Sequence, residues 1–379
     1  MTPVTVSADK TPEHLSTLDG WRGLAILAVL LGHGKSAILR PGAAPNALDR
    51  AITGFGGYGV ELFFAISGLL ICYRLGCEKA GNGRLDLIEF YGRRLFRLLP
   101  AAFFYLFCVC VIAATGLVAI STGEILASLF FFRNYWTAFN MPGGHYTSHF
   151  WSLSVEEQFY LVIPLLITID ARRWLIYGLP LMSIVVGLWR GIESRLRLGS
   201  ALLPALQFDT GRTDLCIDHL MWGAWFGLIL ASPEGRRILA RFTRPAAIQW
   251  SLAGLFMMLV TLPVPMRKLW FALVAPALLV STILKPNSWL GIFLENRPLA
   301  WVGRISYSLY LWQQIFLLQS GTPVKEFAAW PLRAVQNYPF GLPSTFLVAI
   351  ISYYCLEQPL RRRGYRWLRN KKTKPSSKS

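Results

Sequence analysis

The sequence predicts an all-α fold, a polytopic bundle of membrane-spanning helices. Hydrophobic residues make up 54% of the 379 residues, and the mean hydropathy is +0.43, which is typical of a membrane-embedded chain. Long apolar runs recur along the chain, and about 20 residues at ~1.5 Å rise per residue cross a ~30 Å hydrocarbon core. The formal charge of +18 then indicates an excess of Lys and Arg in cytoplasmic loops, and we expect no binding of nucleic acid.

The distribution of basic residues predicts about ten transmembrane helices. The ten runs are 18–38, 58–75, 98–117, 151–169, 174–189, 214–231, 248–263, 269–284, 299–318 and 342–357. With the amino-terminal end inside, this arrangement places about two thirds of the 38 Lys and Arg residues on the cytoplasmic side, as the positive-inside rule requires.

One further apolar stretch, 124–139, is short and contains Arg133. If it crossed the membrane, every later loop would change sides and the basic tail would face outward, against the positive-inside rule. We therefore predict a re-entrant or interfacial helix here, in an outer loop. The predicted domains are a cytoplasmic amino-terminal segment (1–17), a transmembrane domain (18–360) and a basic cytoplasmic tail (361–379).

The first predicted span contains two ionisable residues, Arg22 and His33. Eleven positions separate them, which is close to three helical turns, so both point from the same face about 16 Å apart along the axis. Ionisable groups inside a spanning helix are costly and indicate a functional site. The alternative is that Arg22 lies at the membrane edge and His33 forms a hydrogen bond with a neighbouring helix.

The predicted topology places several arginines together at the inner face: Arg22, Arg94, Arg97 and Arg304. The guanidinium group binds phosphate through two parallel hydrogen bonds, so these residues are candidates for binding an anionic ligand. The RxxR spacing puts Arg94 and Arg97 on one helical face. The alternative is ordinary positive-inside charge on a solvated face.

A second group of polar residues is predicted nearer the outer face. His33, Glu61 and Glu156 fall at a similar depth, and Arg212 and Asp214 lie at the outer end of the sixth span. One imidazole with carboxylates at one depth suggests general-base chemistry. The alternative is that each residue forms a hydrogen bond between helices.

Two other patterns carry no separate chemistry. The glycines of GFGGYG, at 54–59, predict a turn and close packing rather than a phosphate-binding loop. The His and Cys residues show no spacing typical of metal ligands, so no metal site is predicted.

Seven motifs occur in an order that resembles the acyltransferase-3 family, over residues 18–363. They are LDGWRGLAILAVLLGH, GVELFFAISGLLI, RRLFRLLP, WSLSVEEQFYLVIP, RTD with a later WG, GRISYSLYLW and EQPLRRR. The family comprises integral membrane O-acyltransferases of the O-antigen acetylase and nodulation-factor acetylase kind. The resemblance implies acyl-CoA as co-substrate, no permanently bound cofactor, a hydroxyl of a carbohydrate or other envelope molecule as acceptor, and a bacterial inner-membrane location.

The resemblance also assigns residues. The Arg-x10-His pattern of the family falls on Arg22 and His33, its RxxR on Arg94 and Arg97, and its WSL-x-x-E glutamate on Glu156. His33 and Glu156 are then the candidate catalytic residues. The four arginines Arg22, Arg94, Arg97 and Arg304 are candidates for donor binding, and Glu61, Arg212 and Asp214 for acceptor binding or support.

One departure from the family pattern concerns Gln313, which occupies a position where the family often has histidine. We interpret it as a variable polar contact, with His33 carrying the proton transfer. His33 is predicted to act as general base, the alternative being that it is itself acylated. Two other hypotheses stay open: a proton-coupled transporter or flippase, and a catalytically inactive scaffold.

Overall fold

The computed structural model of the protein describes residues 15–34, 47–169, 172–318, 332–336 and 339–373. Within these ranges all regular secondary structure is helical, and no strand is present.

The first half of the chain forms nine helices. They are α1 (Ser16–His33), α2 (Ala47–Asn82), α3 (Leu87–Ala114), α4 (Thr122–Leu129), α5 (Arg133–Ala138), α6 (His145–Ser148), α7 (Phe150–Thr168), α8 (Arg172–Leu196) and α9 (Leu198–Leu202).

The second half continues in the same way. Its helices are α10 (Thr213–Cys216), α11 (Asp218–Ala231), α12 (Pro233–Thr243), α13 (Ala246–Thr261), α14 (Arg267–Leu284), α15 (Trp289–Leu294), α16 (Arg297–Arg304), α17 (Ser306–Phe316), α18 (Leu332–Gln336), α19 (Gly341–Ile351), a π-helical turn (Ser352–Glu357) and α20 (Gln358–Thr373).

Five helices of the described chain are long and apolar enough to cross a membrane. They are Phe55–Asn82, Leu87–Ala114, His145–Thr168, Arg173–Leu196 and Arg267–Leu284. The all-α membrane fold is therefore confirmed, whereas the number of ten spans stays a prediction. The predicted ninth span differs most from the structure, because the turn at Ile305 divides it into two short helices, α16 and α17.

The long helix α2 lies at the centre of the bundle, packed along α1 and α11. Glycines permit this close approach: a Cβ on Gly59 would lie 2.5 Å from the carbonyl oxygen of Ala25, and one on Gly68 would lie 2.1 Å from that of Leu220. The predicted turn at 54–59 is wrong, because these residues continue α2. Glycine in a membrane bundle serves close helix packing, which is the part of the prediction that holds.

The stretch 124–139 forms two short helices, α4 and α5, where one helix was predicted. Neither reaches the length of about 20 residues that spans a bilayer. A break between them places Phe131 at φ 53°. The buried side chains of Glu124 and Arg133 form an ion pair, 3.7 Å apart, that connects α4 to α5.

The basic end of the described chain is helical and packs against the bundle. In α20, the ring of Trp367 meets that of Phe96 in α3, with centroids 6.2 Å apart, and Leu368 contacts Gly92. The predicted domain boundary at 360 therefore falls inside α20.

Candidate active site

A partly open cavity with about 730 Å³ of empty space lies between α1, α2, α3, α7 and α17. Its polar lining residues are Arg22, Ser67, Arg94, Arg97, Ser152, Glu156, Tyr160, Ser306, Tyr307 and Tyr310. The structure thus brings together four of the predicted site residues, Arg22, Arg94, Arg97 and Glu156.

Two of the cavity arginines form no direct ion pair within the described chain. Neither Arg22 nor Arg97 forms an ion pair with any residue of the described chain, and their guanidinium groups interact electrostatically with each other. Asp19 acts on Arg22 only at longer range, and Arg74 adds a third positive charge to the group. Like charges held together in a partly desolvated cavity are unfavourable without an anion between them.

Arg94 differs from Arg22 and Arg97, because its side chain contacts other residues of the protein. Its Nη2 lies 3.2 Å from Oε1 of Glu157, and its guanidinium carbon lies 3.2 Å from the ring centroid of Tyr160. Arg94 also lines an adjoining cavity with Glu157 and Phe131. It can therefore contribute charge and shape to a ligand site from a fixed position.

Glu156 lies at the arginine end of the cavity and not beside His33. Its carboxylate accepts hydrogen bonds from Ser67 Oγ at 3.2 Å and from Tyr160 Oη at 3.0 Å. The predicted common depth with His33 is wrong, because Glu156 contacts Ser67 of α2 and lines the cavity together with Arg22. An orienting contact between Glu156 and His33 is therefore not part of this arrangement.

Glu61 is also separated from His33. Gly56 of α2 packs on Gly32 of α1, and Gly59 packs on Ala25 and Val29, so the two helices run antiparallel and Glu61 lies about 10 Å, or two turns, closer to Arg22. The predicted depth of Glu61 is wrong because α2 starts at Ala47, eleven residues before the predicted span.

The carboxylate of Glu61 belongs to a separate network of buried charges. It pairs with Lys268 Nζ at 2.8 Å and with His219 Nε2 at 3.4 Å. His219 Nδ1 lies 3.0 Å from Asp218, whose carboxylate also pairs with Arg190 at 2.8 Å. This network joins α2, α8, α11 and α14.

Arg212 and Asp214 contact each other rather than an open site. Arg212 Nη2 lies 2.7 Å from Asp214 Oδ2, and its Nη1 lies 3.1 Å from Glu193 Oε1. Asp214 also accepts a hydrogen bond from Trp189 Nε1 at 3.0 Å. These contacts fasten the segment after α9 to α8, and the carboxylate of Asp214 keeps partial exposure.

We expect Arg212→Ala to destabilise the fold rather than to weaken acceptor binding. The substitution leaves Glu193, which is fully buried, without its cation, and breaking one side of a buried ion pair costs about 3–5 kcal/mol. Thermal unfolding of the purified protein measures the loss. Arg195→Ala is the matched control, because Arg195 is an exposed arginine of α8, the helix that contains Glu193. An unchanged melting temperature for Arg212→Ala, with a raised acceptor KM, would contradict this structural role.

Arg304, the remaining predicted donor-binding residue, is exposed at the end of α16 and does not line the cavity. The cavity is lined instead by Ser306 and Tyr307, which begin α17 after the turn. The amino-terminal end of a helix carries partial positive charge, so α17 adds to the positive potential at the arginine end.

His33 is the last residue of α1 and does not line this cavity; it lies in a separate group of polar residues. It interacts with the side chain of Gln313 and electrostatically with His145 and His149. Gln314 ties this region together, since its Nε2 donates to the carbonyl oxygen of His145 at 2.7 Å and to Ser148 Oγ at 2.9 Å. Across the described ranges, no three His, Cys, Asp or Glu side chains are arranged to hold a metal ion.

The sequence analysis missed His145 and His149. Both precede the WSL motif and lie four positions apart, which places side chains on one face of a helix. That spacing could have identified both residues from the sequence. Two histidines at the start of an apolar run are unusual, because ionisable groups in a membrane-spanning segment are costly.

Comparison with known proteins finds similarity to acyltransferases over nearly the whole chain. A family model described as an acyltransferase domain matches residues 15–354. O-acetyltransferase OatA of Staphylococcus aureus (strain NCTC 8325) is 30% identical over 391 aligned positions, covering 94% of this chain and 58% of the relative.

Two further relatives carry similar names. The putative peptidoglycan O-acetyltransferase YrhL of Bacillus subtilis is 28% identical (94% of this chain, 57% of the relative), and the peptidoglycan O-acetyltransferase OatA of Listeria monocytogenes is 27% identical (93% and 57%). The chain thus spans well under two thirds of the length of these relatives. No solved structure matches.

Proposed function

This chain belongs to the acyltransferase family that the matched domain describes, and from that premise we propose that it is a membrane O-acyltransferase. The donor is an acyl-CoA on the cytoplasmic side, with acetyl as the acyl group. The acceptor is a hydroxyl group of a cell-envelope carbohydrate, by analogy with the peptidoglycan O-acetyltransferases among its relatives.

The observation that carries this proposal is a pair of arginines, Arg22 and Arg97, that form no ion pair within the described chain and line the same partly open cavity. Acyl-CoA is a long molecule with phosphates at one end and a thioester at the other. Guanidinium groups and the start of α17 favour the phosphates at the arginine end. His33 stands eleven residues further along α1, about 16 Å away, which suits the length of the pantetheine arm.

The residues then take distinct roles. Arg22 and Arg97 bind the phosphates, and Arg94 lines the same end from a fixed position. His33 accepts the proton of the acceptor hydroxyl, for which a neutral imidazole is suited near pH 7. Glu156 lies among the arginines, so its role is to support the donor rather than to orient His33.

Direct measurement of the product tests the proposal. Wild-type protein, purified into lipid nanodiscs, receives acetyl-CoA labelled in the acetyl group, together with soluble peptidoglycan fragments. We expect labelled ester on the fragments, detected by mass spectrometry, and free CoA in equal amount. Absence of both ester formation and acetyl-CoA hydrolysis would contradict the proposed activity.

The proposal includes an orientation, with both ends of this chain on the cytoplasmic side of a bacterial inner membrane. A cysteine introduced at Ser376, with the six native cysteines replaced by serine, reports the side of the tail. We expect labelling by an impermeant thiol reagent only after the cells are opened. Labelling in intact cells would overturn the topology of ten spans.

A second candidate function is a proton-coupled transporter. It is favoured by the buried network from Lys268 through Glu61, His219 and Asp218 to Arg190, since charged groups within a membrane bundle often mark ion pathways. Proteoliposomes loaded with a pH-sensitive dye distinguish the two functions. Proton movement across the liposome membrane that depends on an added cell-envelope precursor, and not on acyl-CoA, would favour the transporter.

A further inference from the structure

Two buried side chains beside His33 have polar atoms without a well-formed hydrogen bond inside the described chain. Both ring nitrogens of His149 lack a hydrogen-bond partner, and the amide of Gln313 faces His33 without reaching hydrogen-bond geometry with any residue. The two residues are 2% and 0% exposed, respectively. Buried polar groups in folded proteins are nearly always satisfied, so a cluster of unsatisfied ones calls for an explanation. Nδ1 of His33 is unsatisfied in the same place.

The surrounding residues hold His149 in position. Its ring lies edge-on to Tyr105 and to Tyr310, with centroids 5.1 Å and 5.7 Å away. Its backbone carbonyl accepts hydrogen bonds from Tyr310 Oη at 3.1 Å and from Ser152 Oγ at 3.2 Å. The ring is therefore fixed through its carbon atoms and its main chain, while the two nitrogens stay available.

The same contacts connect His149 to the donor cavity. Ser152 and Tyr310 line that cavity, and their hydroxyl groups lie 2.5 Å apart. Gln313 follows Tyr310 by three positions in α17, which places both on neighbouring parts of one helix surface. His33, His149 and Gln313 do not line the cavity themselves, so a thioester has to extend beyond Ser152 and Tyr310 to reach them.

We propose that His149 and Gln313 form the oxyanion-binding site of the acyl-transfer step, an inference that rests on the proposed function. Each side chain offers an N–H group: one ring nitrogen of neutral His149 and the amide nitrogen of Gln313. Donors that are already in place and desolvated stabilise the charge that develops on a carbonyl oxygen more strongly than water does. The position where the family often has histidine thus keeps a hydrogen-bond donor in this chain.

The step balances as follows. The acceptor hydroxyl oxygen forms a bond with the thioester carbonyl carbon, and its proton passes to His33. The carbonyl oxygen takes the negative charge and accepts hydrogen bonds from His149 and Gln313. Collapse of this intermediate restores the carbonyl and breaks the carbon–sulfur bond, and the departing thiolate takes the proton from His33. The products are the ester and free CoA.

Turnover kinetics test the two donors. We use Gln313→Met and His149→Met, which remove the N–H groups, and Gln313→His, which keeps one. The matched control is Gln249→Met, because Gln249 is also buried, also has an unsatisfied amide nitrogen, and packs far away in α13. We expect kcat to fall about 10²–10³-fold for each donor-removing variant, the loss typical of one oxyanion donor, with unchanged donor affinity. Gln249→Met keeps the activity of the wild type, and Gln313→His, which restores a donor, recovers part of the kcat lost in Gln313→Met.

Isotope-edited infrared spectroscopy of the bound donor separates catalysis from folding. In the His33→Ala background, bound acetyl-CoA does not turn over, and hydrogen bonding lowers the stretching frequency of its thioester carbonyl. Adding Gln313→Met or His149→Met shifts that frequency back toward the value in water-free solvent, and adding Gln249→Met does not. A frequency that stays unchanged in both donor-removing variants overturns the inference, as does a kcat within about threefold of wild type.

The two proposals fail differently in these experiments. If wild-type protein neither binds nor consumes acetyl-CoA, the proposed function fails and this inference fails with it. If wild-type protein is active and His33→Ala is inactive, while both donor-removing variants keep full kcat, only the oxyanion site is refuted.

Discussion

His33→Ala is expected to abolish detectable acyl transfer while the protein stays folded and inserted. The substitution removes the only base proposed for the acceptor hydroxyl, and loss of a general base typically lowers a rate by about 10² to 10⁴. Packing of α1 depends on its apolar and small residues against α2 and α16, so stability changes little. Acetyl-CoA should still bind, because its phosphates are held by arginines at the level of Arg22, eleven residues away along α1. The assay is labelled ester formation, with donor binding measured separately by isothermal calorimetry.

Leu31→Ala is the matched control for this substitution, since Leu31 lies two positions away in the same helix and is exposed. It should keep transfer activity. A fully active His33→Ala variant would return this histidine to a packing role. A labelled acyl group recovered on His33 of the wild type would replace general-base catalysis by a covalent relay.

Arg97→Ala is expected to weaken acetyl-CoA binding about 5- to 150-fold, with no loss of thermal stability. One desolvated contact to a charged group contributes about 1–3 kcal/mol. Removing one of two mutually repelling, unpaired cations also relieves an unfavourable interaction in the free protein. Isothermal titration calorimetry of the purified variant measures its affinity for acetyl-CoA, and differential scanning calorimetry measures its melting temperature.

Two neighbouring arginines serve as comparisons. Arg93→Ala should leave donor affinity unchanged, because Arg93 is exposed and pairs with Glu89 at 2.8 Å outside the cavity. Arg94→Ala should lower both the affinity and the melting temperature, because this side chain also contacts Glu157 and Tyr160. Equal donor affinity in wild type and Arg97→Ala would remove the phosphate role from Arg97.

The parts of the site that lie along one helix could be predicted from the sequence. The spacing of Arg22 and His33 within an apolar run gives their shared face and their separation from helical geometry alone. The RxxR pair follows from the same geometry, and the structure places both of its arginines in the cavity with Arg22.

The depth of a residue in the bundle and its side-chain partners could not be predicted from the sequence. They depend on where each helix begins and on which helices pack together. A glycine cluster is a turn signal in general, but Gly56 and Gly59 serve helix packing here, and the shifted start of α2 moved Glu61 away from His33. The partners of Glu61 and Arg212 come from other helices: Lys268 and Glu193. The spacing of His145 and His149 can be read from the sequence, whereas the two unsatisfied ring nitrogens of buried His149 depend on its neighbours in the fold.

The central claim is that the donor binds with its phosphates in the arginine cavity and extends beyond the lining of that cavity to place its acyl group at His33. Its most direct test is a cryo-electron microscopy structure of the protein with a non-hydrolysable acetyl-CoA analogue. We expect phosphate oxygens within hydrogen-bond distance of Arg22 and Arg97, and the acetyl carbonyl between His33, His149 and Gln313. An analogue bound outside this cavity, or bound with its phosphates away from both arginines, would contradict the account.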